Sequence, residues 1–201
     1  KELAVDNFKT YNVKNMAKMF RNCIALERLN VSLFRTYGVK DMSNMFQNCV
    51  NLKSLDVSNF NTSNVENMPF MFAFNRQLKY LDISHFNTNN VKNMASMFKF
   101  CESLENLDVS KFETKSATNM SSMFDNCYSV QKLNVSNFNT GKVKDMSKMF
   151  NNCVKVDYLN LDKFDTKNVV DMSSMFSNCV AIKKLNVSNF NTAFVVNMES
   201  M

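Results

Sequence analysis

The chain has 201 residues, enough for one ordinary domain or two small ones, and 45% of it is apolar, too much for a disordered chain. Its 24 basic and 18 acidic residues leave a net charge of +6, but the basic residues are scattered singly, so the surplus reads as a solvated surface and no nucleic-acid partner is expected. No run of about 18 apolar residues exists, so this segment is not expected to insert into a membrane.

Gly and Pro, the usual loop residues, are nearly missing, with two and one, whereas Asn occurs 32 times. Asn tolerates left-handed backbone better than most residues and is expected to make the turns. The order of residues is periodic. Met16, Met42, Met68, Met94, Met120, Met146, Met172 and Met198 stand 26 apart, and so does the column from Met19 to Met201. Columns of Phe (Phe8 to Phe190, Phe20 to Phe176), Thr (Thr10 to Thr192) and Leu (Leu3 to Leu185) keep the same spacing. An uninterrupted period of this length predicts identical coils stacked on one another. Residues 1–201 are therefore expected to form a single repeat solenoid of nearly eight units. The pattern stops in mid-unit at Met201 and no basic, apolar leader precedes Lys1, so the chain is expected to be a fragment of a longer protein.

Within each unit the apolar period changes. Leu55 and Val57 alternate with polar neighbours, which predicts a short strand with one buried face. Next, Asn15, Asp41, Asn67, Asn93, Asn119, Asp145, Asp171 and Asn197 each precede the first Met of a unit and read as helix N-caps, worth about 1 kcal/mol each. Met42, Met45, Phe46 and Cys49 then recur at intervals of three and four, predicting a helix of two turns that ends near Cys49. Pro69 falls at the second helical position, where its missing N–H is harmless. The expected fold class is α/β: a right-handed leucine-rich-repeat-like solenoid with one short parallel strand and one short helix per 26-residue coil.

The segment from Leu52 to Thr62, Leu-x-x-Leu-x-Val-Ser-Asn-Phe-Asn-Thr, with the following Val-x-Asn/Asp-Met-Ser-x-Met-Phe-x-Asn-Cys, resembles the BspA-like bacterial surface proteins, a divergent branch of the leucine-rich repeats. The resemblance spans essentially the whole chain. It implies a secreted or surface-anchored location and a role in adhesion, without naming a ligand. Departures are Asn75 in the Cys column, Ala117 in the Val column, and Phe74 and Phe100 in a column otherwise held by Asn.

Candidate chemistry is sparse. Cys23, Cys49, Cys101, Cys127, Cys153 and Cys179 share one column whose spacing of about 4.8 Å exceeds the roughly 3.8 Å between Cβ atoms of a disulfide, so free buried thiols are expected. His85 reads as solvated. The column Asn30, Asp56, Asp82, Asp108, Asn134, Asn160 and Asn186 reads as hydrogen bonding along the sheet or, less simply, as a cation site. No triad, phosphate loop or acid–base pair occurs, so no catalytic residue, cofactor or metal is expected and the chain reads as a non-enzyme.

Two surfaces are candidates for a partner. Phe70, Phe74 and Phe100, with Tyr80 close in sequence, form either an aromatic contact patch or local repacking around Asn75. The outward column Arg28, Ser54, Tyr80, Asn106, Lys132, Tyr158 and Lys184 varies from unit to unit while its neighbours do not, and Tyr with Arg or Lys suits recognition. The expected function is a surface-exposed binding module that takes a protein or glycan ligand at a cell surface, with a structural spacer or stalk as the alternative.

Overall fold

The computed structural model describes residues 1–201 and contains no α-helix; its regular elements are two strands, β1 (Glu2–Leu3) and β2 (Arg28–Leu29). They pair in parallel, Glu2 opposite Arg28 and Leu3 opposite Leu29. Further pairing occurs as single parallel bridges between residues 26 apart. One series runs from Asn15 through Asp41, Asn67 and Asn93 to Asn197, and another joins Ser54, Tyr80, Asn106 and Lys132.

The expected leucine-rich-repeat-like α/β solenoid is thus incorrect: no helix forms in any unit, and regular strand is confined to four residues. The reason lies in the backbone of the Met-rich segment. A helix needs right-handed backbone throughout, yet Asn44 (φ 59°) and Asn48 (φ 61°) are left-handed, as are their equivalents along the chain. Asn44 is the third residue of a turn closed by Met45 N–H donating to the Met42 carbonyl at 3.2 Å. Positive φ at that place is the mark of a type II turn, and Asn accommodates it. Alternate amides leave the unit altogether: those of Asn44, Phe46 and Asn48 donate to the carbonyls of Pro69, Met71 and Ala73 at 2.8, 2.9 and 2.8 Å. A helix this short is marginal alone, whereas turns whose spare amides bond the next unit satisfy the backbone in both directions. Apolar residues three and four apart face inward in either arrangement.

The residues expected to cap helices make Asx turns. Asp41 Oδ1 accepts the Ser43 amide at 2.8 Å, and Asn15 and Asn93 do the same for Ala17 and Ala95. Pro69, expected inside a helix, is the second residue of the turn closed by Met71 N–H on the Met68 carbonyl, a position that favours proline.

The interior is one apolar cluster running from Val5 to Phe176. Met42, Met68 and Met94 are fully buried, each contributing roughly 1.5–3 kcal/mol by burial. Phe46 and Phe72 stack with ring centroids 5.8 Å apart at 6°, and Phe72 and Phe98 repeat the geometry at 5.8 Å and 9°. Threonine forms a polar spine inside the apolar layer. Thr88 Oγ1 donates to the Glu113 carbonyl at 2.9 Å and accepts the Glu113 amide at 2.8 Å. The same reciprocal pair recurs for Thr36 with Asn61 and Thr62 with Asn87.

Candidate binding face

The chain's bridges place Ser54, Tyr80, Asn106 and Lys132 side by side, all exposed, with Tyr158 and Lys184 one and two periods further on. Tyr80 and Tyr158 are 64% and 63% exposed, which leaves ring surface available to a ligand. Tyr158 stands between two surface grooves. One, of about 610 Å³, is lined by Tyr158, Asn160, Asp162, Lys184 and Asn186 with leucines 159, 161 and 185. The other, of about 410 Å³, is lined by Lys132, Leu133, Asn134, Ser136, Asp157, Tyr158 and Asn160. Of the outward column, the grooves bring together Lys132, Tyr158 and Lys184. Arg28 lies in β2, four periods from Lys132 or about 19 Å at the strand spacing, and belongs to neither groove.

Every member of the neighbouring Asn and Asp column closes an Asx turn within its own unit, and only Asn30 also bonds along the stack, its Nδ2 donating to Asp6 Oδ1 at 3.4 Å. Asp82 Oδ1 accepts the Ser84 amide at 3.0 Å and hydroxyl at 2.8 Å. Backbone hydrogen bonds from Ser58 and Ser84 hold the carboxyls of Asp56 and Asp82 below their usual range, and the Ser110 hydroxyl does most of this for Asp108. These bonds outweigh the mutual repulsion of the carboxylates. No group of three or more His, Cys, Asp or Glu side chains converges in a metal-binding arrangement.

The aromatic candidates are half-buried on the turn side. Phe74 and Phe100 stack with centroids 5.2 Å apart at 16°, in a column where Asn48 Nδ2 donates to Asn22 Oδ1 and Asn152 Nδ2 to Asn126 Oδ1. Like therefore meets like within the Phe pair and within the Asn pairs, while Asn48 borders Phe74 and Phe100 borders Asn126. Phe70, Phe74 and Phe100 all carry positive φ (56°, 64° and 57°), a conformation that costs a bulky residue about 1–3 kcal/mol. Arg76 and Lys99 lie 5.2 and 5.6 Å from the Phe100 ring centroid. Lys99 also pairs with the buried Asp125 at 2.8 Å. Tyr80 faces outward with the strand column, in the bridge series from Ser54 to Lys132.

Asn75 replaces the thiol in kind. Cys101 Sγ donates to the Phe72 carbonyl at 3.2 Å and Cys127 Sγ to that of Phe98 at 3.2 Å, 29 residues earlier in each case. Asn75 Nδ2 does the same to Phe46 at 3.0 Å, and its Oδ1 accepts the Cys49 amide at 2.9 Å. All six cysteines are free thiols; Cys49, Cys101, Cys127 and Cys153 are buried and Cys23 and Cys179 partly so. Burial pushes the Cys49 and Cys101 thiols up to about 12 and those of Cys127 and Cys153 well above the ordinary range. They are poor nucleophiles. His85 is exposed but not simply solvated: Nε2 lies 3.1 Å from the Val57 carbonyl. A carbonyl only accepts, so Nε2 carries the proton.

Sequence reasoning overlooked the groove residues Asp157 and Asp162, and Arg76, Lys99 and Asp125. Its one available signal was the change from Asp108 to Asn134 in the Asx column, which falls where the grooves begin.

A protein family described as "Mycoplasma protein of unknown function, DUF285" matches residues 1–80, 44–158 and 128–201, so that every residue is covered. The chain belongs to this family. The resemblance to BspA-like leucine-rich repeats is corrected accordingly: the family found is this one, and the helix that the resemblance requires is absent. No curated protein and no solved structure matches the chain. No helix is long and apolar enough to cross a membrane.

Proposed function

We propose that this chain is a non-enzymatic binding module, displayed outside the cell, that recognises a protein or glycan ligand in adhesion. The observation that supports this reading is the contrast between interior and exterior columns. Thr, Phe and Met recur inside, while the exposed column from Arg28 to Lys184 differs at nearly every level and carries the exposed rings of Tyr80 and Tyr158. Exposed tyrosines on a hydrogen-bonded scaffold offer contact area at low entropic cost. The test is binding of the purified chain to intact animal cells, comparing wild type with the double variant Tyr80→Ala, Tyr158→Ala. Saturable binding that the double variant loses at unchanged melting temperature supports the module; absence of binding by the wild type refutes it.

A second reading, a structural spacer, is favoured by a different observation: the bridge series from Asn15 to Asn197 links successive levels along nearly the entire chain. A spacer predicts no ligand on any face. Its signature is retention of function when the outward column is replaced wholesale by Ser and Lys.

A further inference from the structure

We infer that the paired grooves beside Tyr158 form a carbohydrate site, in which the Tyr158 ring stacks on a neutral sugar and the flanking amides and carboxylates bond its hydroxyls. This inference deepens the proposed function and rests on it.

The first element is shape. Tyr158 and Asn160 line both grooves, so the ring stands as a wall between cavities of about 610 and 410 Å³, within the range that holds small ligands. Tyr158, 63% exposed, is the most open ring or apolar side chain in the grooves: Leu133, Leu159 and Leu161 are 4%, 3% and 1% exposed and Leu185 is half-buried. A sugar wants one flat apolar surface for its C–H face and a rim of polar groups, which is what a tyrosine among Asn and Asp supplies.

The second element is the orientation of the polar rim. Asn134, Asn160 and Asn186 each hold a backbone amide two residues on through Oδ1, at 3.1, 3.0 and 3.1 Å. That bond fixes the carboxamide and leaves the NH₂ end unused by the chain, a donor already aimed. Asp157 and Asp162 add carboxylate acceptors, and neither is engaged in an ion pair. Hydroxyls both donate and accept, so a rim carrying both functions suits them.

The third element is charge. Lys184 lines one groove with Asp162 and Lys132 the other with Asp157, so the formal charges cancel in each. A polyanion would meet the two carboxylates and a polycation the two ammonium groups. A neutral polyhydroxyl ligand meets neither penalty. Tyr37 provides the internal comparison, an exposed ring (52%) that lines neither groove.

The experiment uses the full chain on immobilised neutral oligosaccharides ending in galactose, glucose, mannose or N-acetylglucosamine, with sulfated and sialylated chains alongside. Wild type is expected to bind at least one neutral glycan saturably, with little change between about 50 and 500 mM salt. Tyr158→Ala should weaken that binding about tenfold or more, Tyr158→Phe should retain it within about threefold, and Tyr37→Ala, outside both grooves, should leave it unchanged. Competition by the free sugar against wild type gives a readout that needs no variant to fold. No neutral glycan bound, equal binding by Tyr158→Ala, or binding to sulfated chains alone overturns the inference. Equal binding to intact and enzymatically deglycosylated cells overturns the carbohydrate inference while leaving the recognition module standing. Binding to neither removes both.

Discussion

Asn75 Nδ2 donates to the Phe46 carbonyl at 3.0 Å, the bond that a cysteine thiol makes at the same place in other units. An amide and a thiol are thus equivalent here as donors inside an apolar column, but the amide also accepts the Cys49 N–H, which then does not close its own turn. Asn75→Ala leaves the Phe46 carbonyl and the Cys49 amide without their buried partner, and the expected loss is about 3 kcal/mol. Asn75→Cys restores the column and is expected to cost about 1 kcal/mol or less. Urea unfolding of the two variants distinguishes them.

Phe74 and Phe100 hold left-handed backbone where five equivalent positions are Asn. The double variant to Asn relieves about 1–3 kcal/mol of backbone strain at each position. It loses a ring stack of about 0.5–1.5 kcal/mol, cation–π contacts of similar size and some burial. These effects oppose, so unfolding free energy is expected to change by less than about 1 kcal/mol. A loss above about 3 kcal/mol would mean that the rings hold the stack together.

The threonine spine makes an equally sharp case. Thr88→Val keeps the shape but strands the amide and carbonyl of Glu113, which bond the hydroxyl at 2.8 and 2.9 Å. The expected cost is about 2 kcal/mol, against less than about 1 kcal/mol for Thr88→Ser, which keeps the hydroxyl. Chemical denaturation reads both.

The apolar spacing marked the interior well. Leu29, Val31, Phe34, Val39, Met42, Met45, Phe46, Cys49 and Leu52 are all buried. It could not mark the conformation that buries them, because successive tight turns and a helix both bring residues three and four apart to one side. Half of the decisive signal is faint: the left-handed column of Asn44 also contains Lys18, Phe70 and Ser96, which have no common preference for positive φ. The column of Asn48, with Asn22, Asn126, Asn152 and Asn178, declares itself better. At the candidate face, exposure of Tyr80 and Tyr158 follows from their place beside buried leucines. The grooves do not, since they depend on how side chains of adjacent units lean.

The buried thiols set a pH dependence. Below about pH 8.5 folded and unfolded chains both keep these protons, and the effect is absent. Above that value the unfolded chain releases protons that Cys49 and Cys101, pushed up to about 12, still hold. Cys127 and Cys153 act in the same direction. The unfolded state then binds fewer protons, so stability falls as pH rises, by up to about 1.4 kcal/mol per pH unit for each thiol. Urea midpoints under reducing conditions should decline from about pH 8.5 upward, and less steeply in Cys101→Ala.

The register that positions every surface described above is carried by amides that bond 25 residues forward in place of four residues back. Scalar coupling across hydrogen bonds, read by NMR on isotope-labelled protein, reports this directly for Phe46. The structure predicts coupling from the Phe46 amide to the Met71 carbonyl, 2.9 Å away. Coupling to the Met42 carbonyl instead, as in an α-helix, would contradict it.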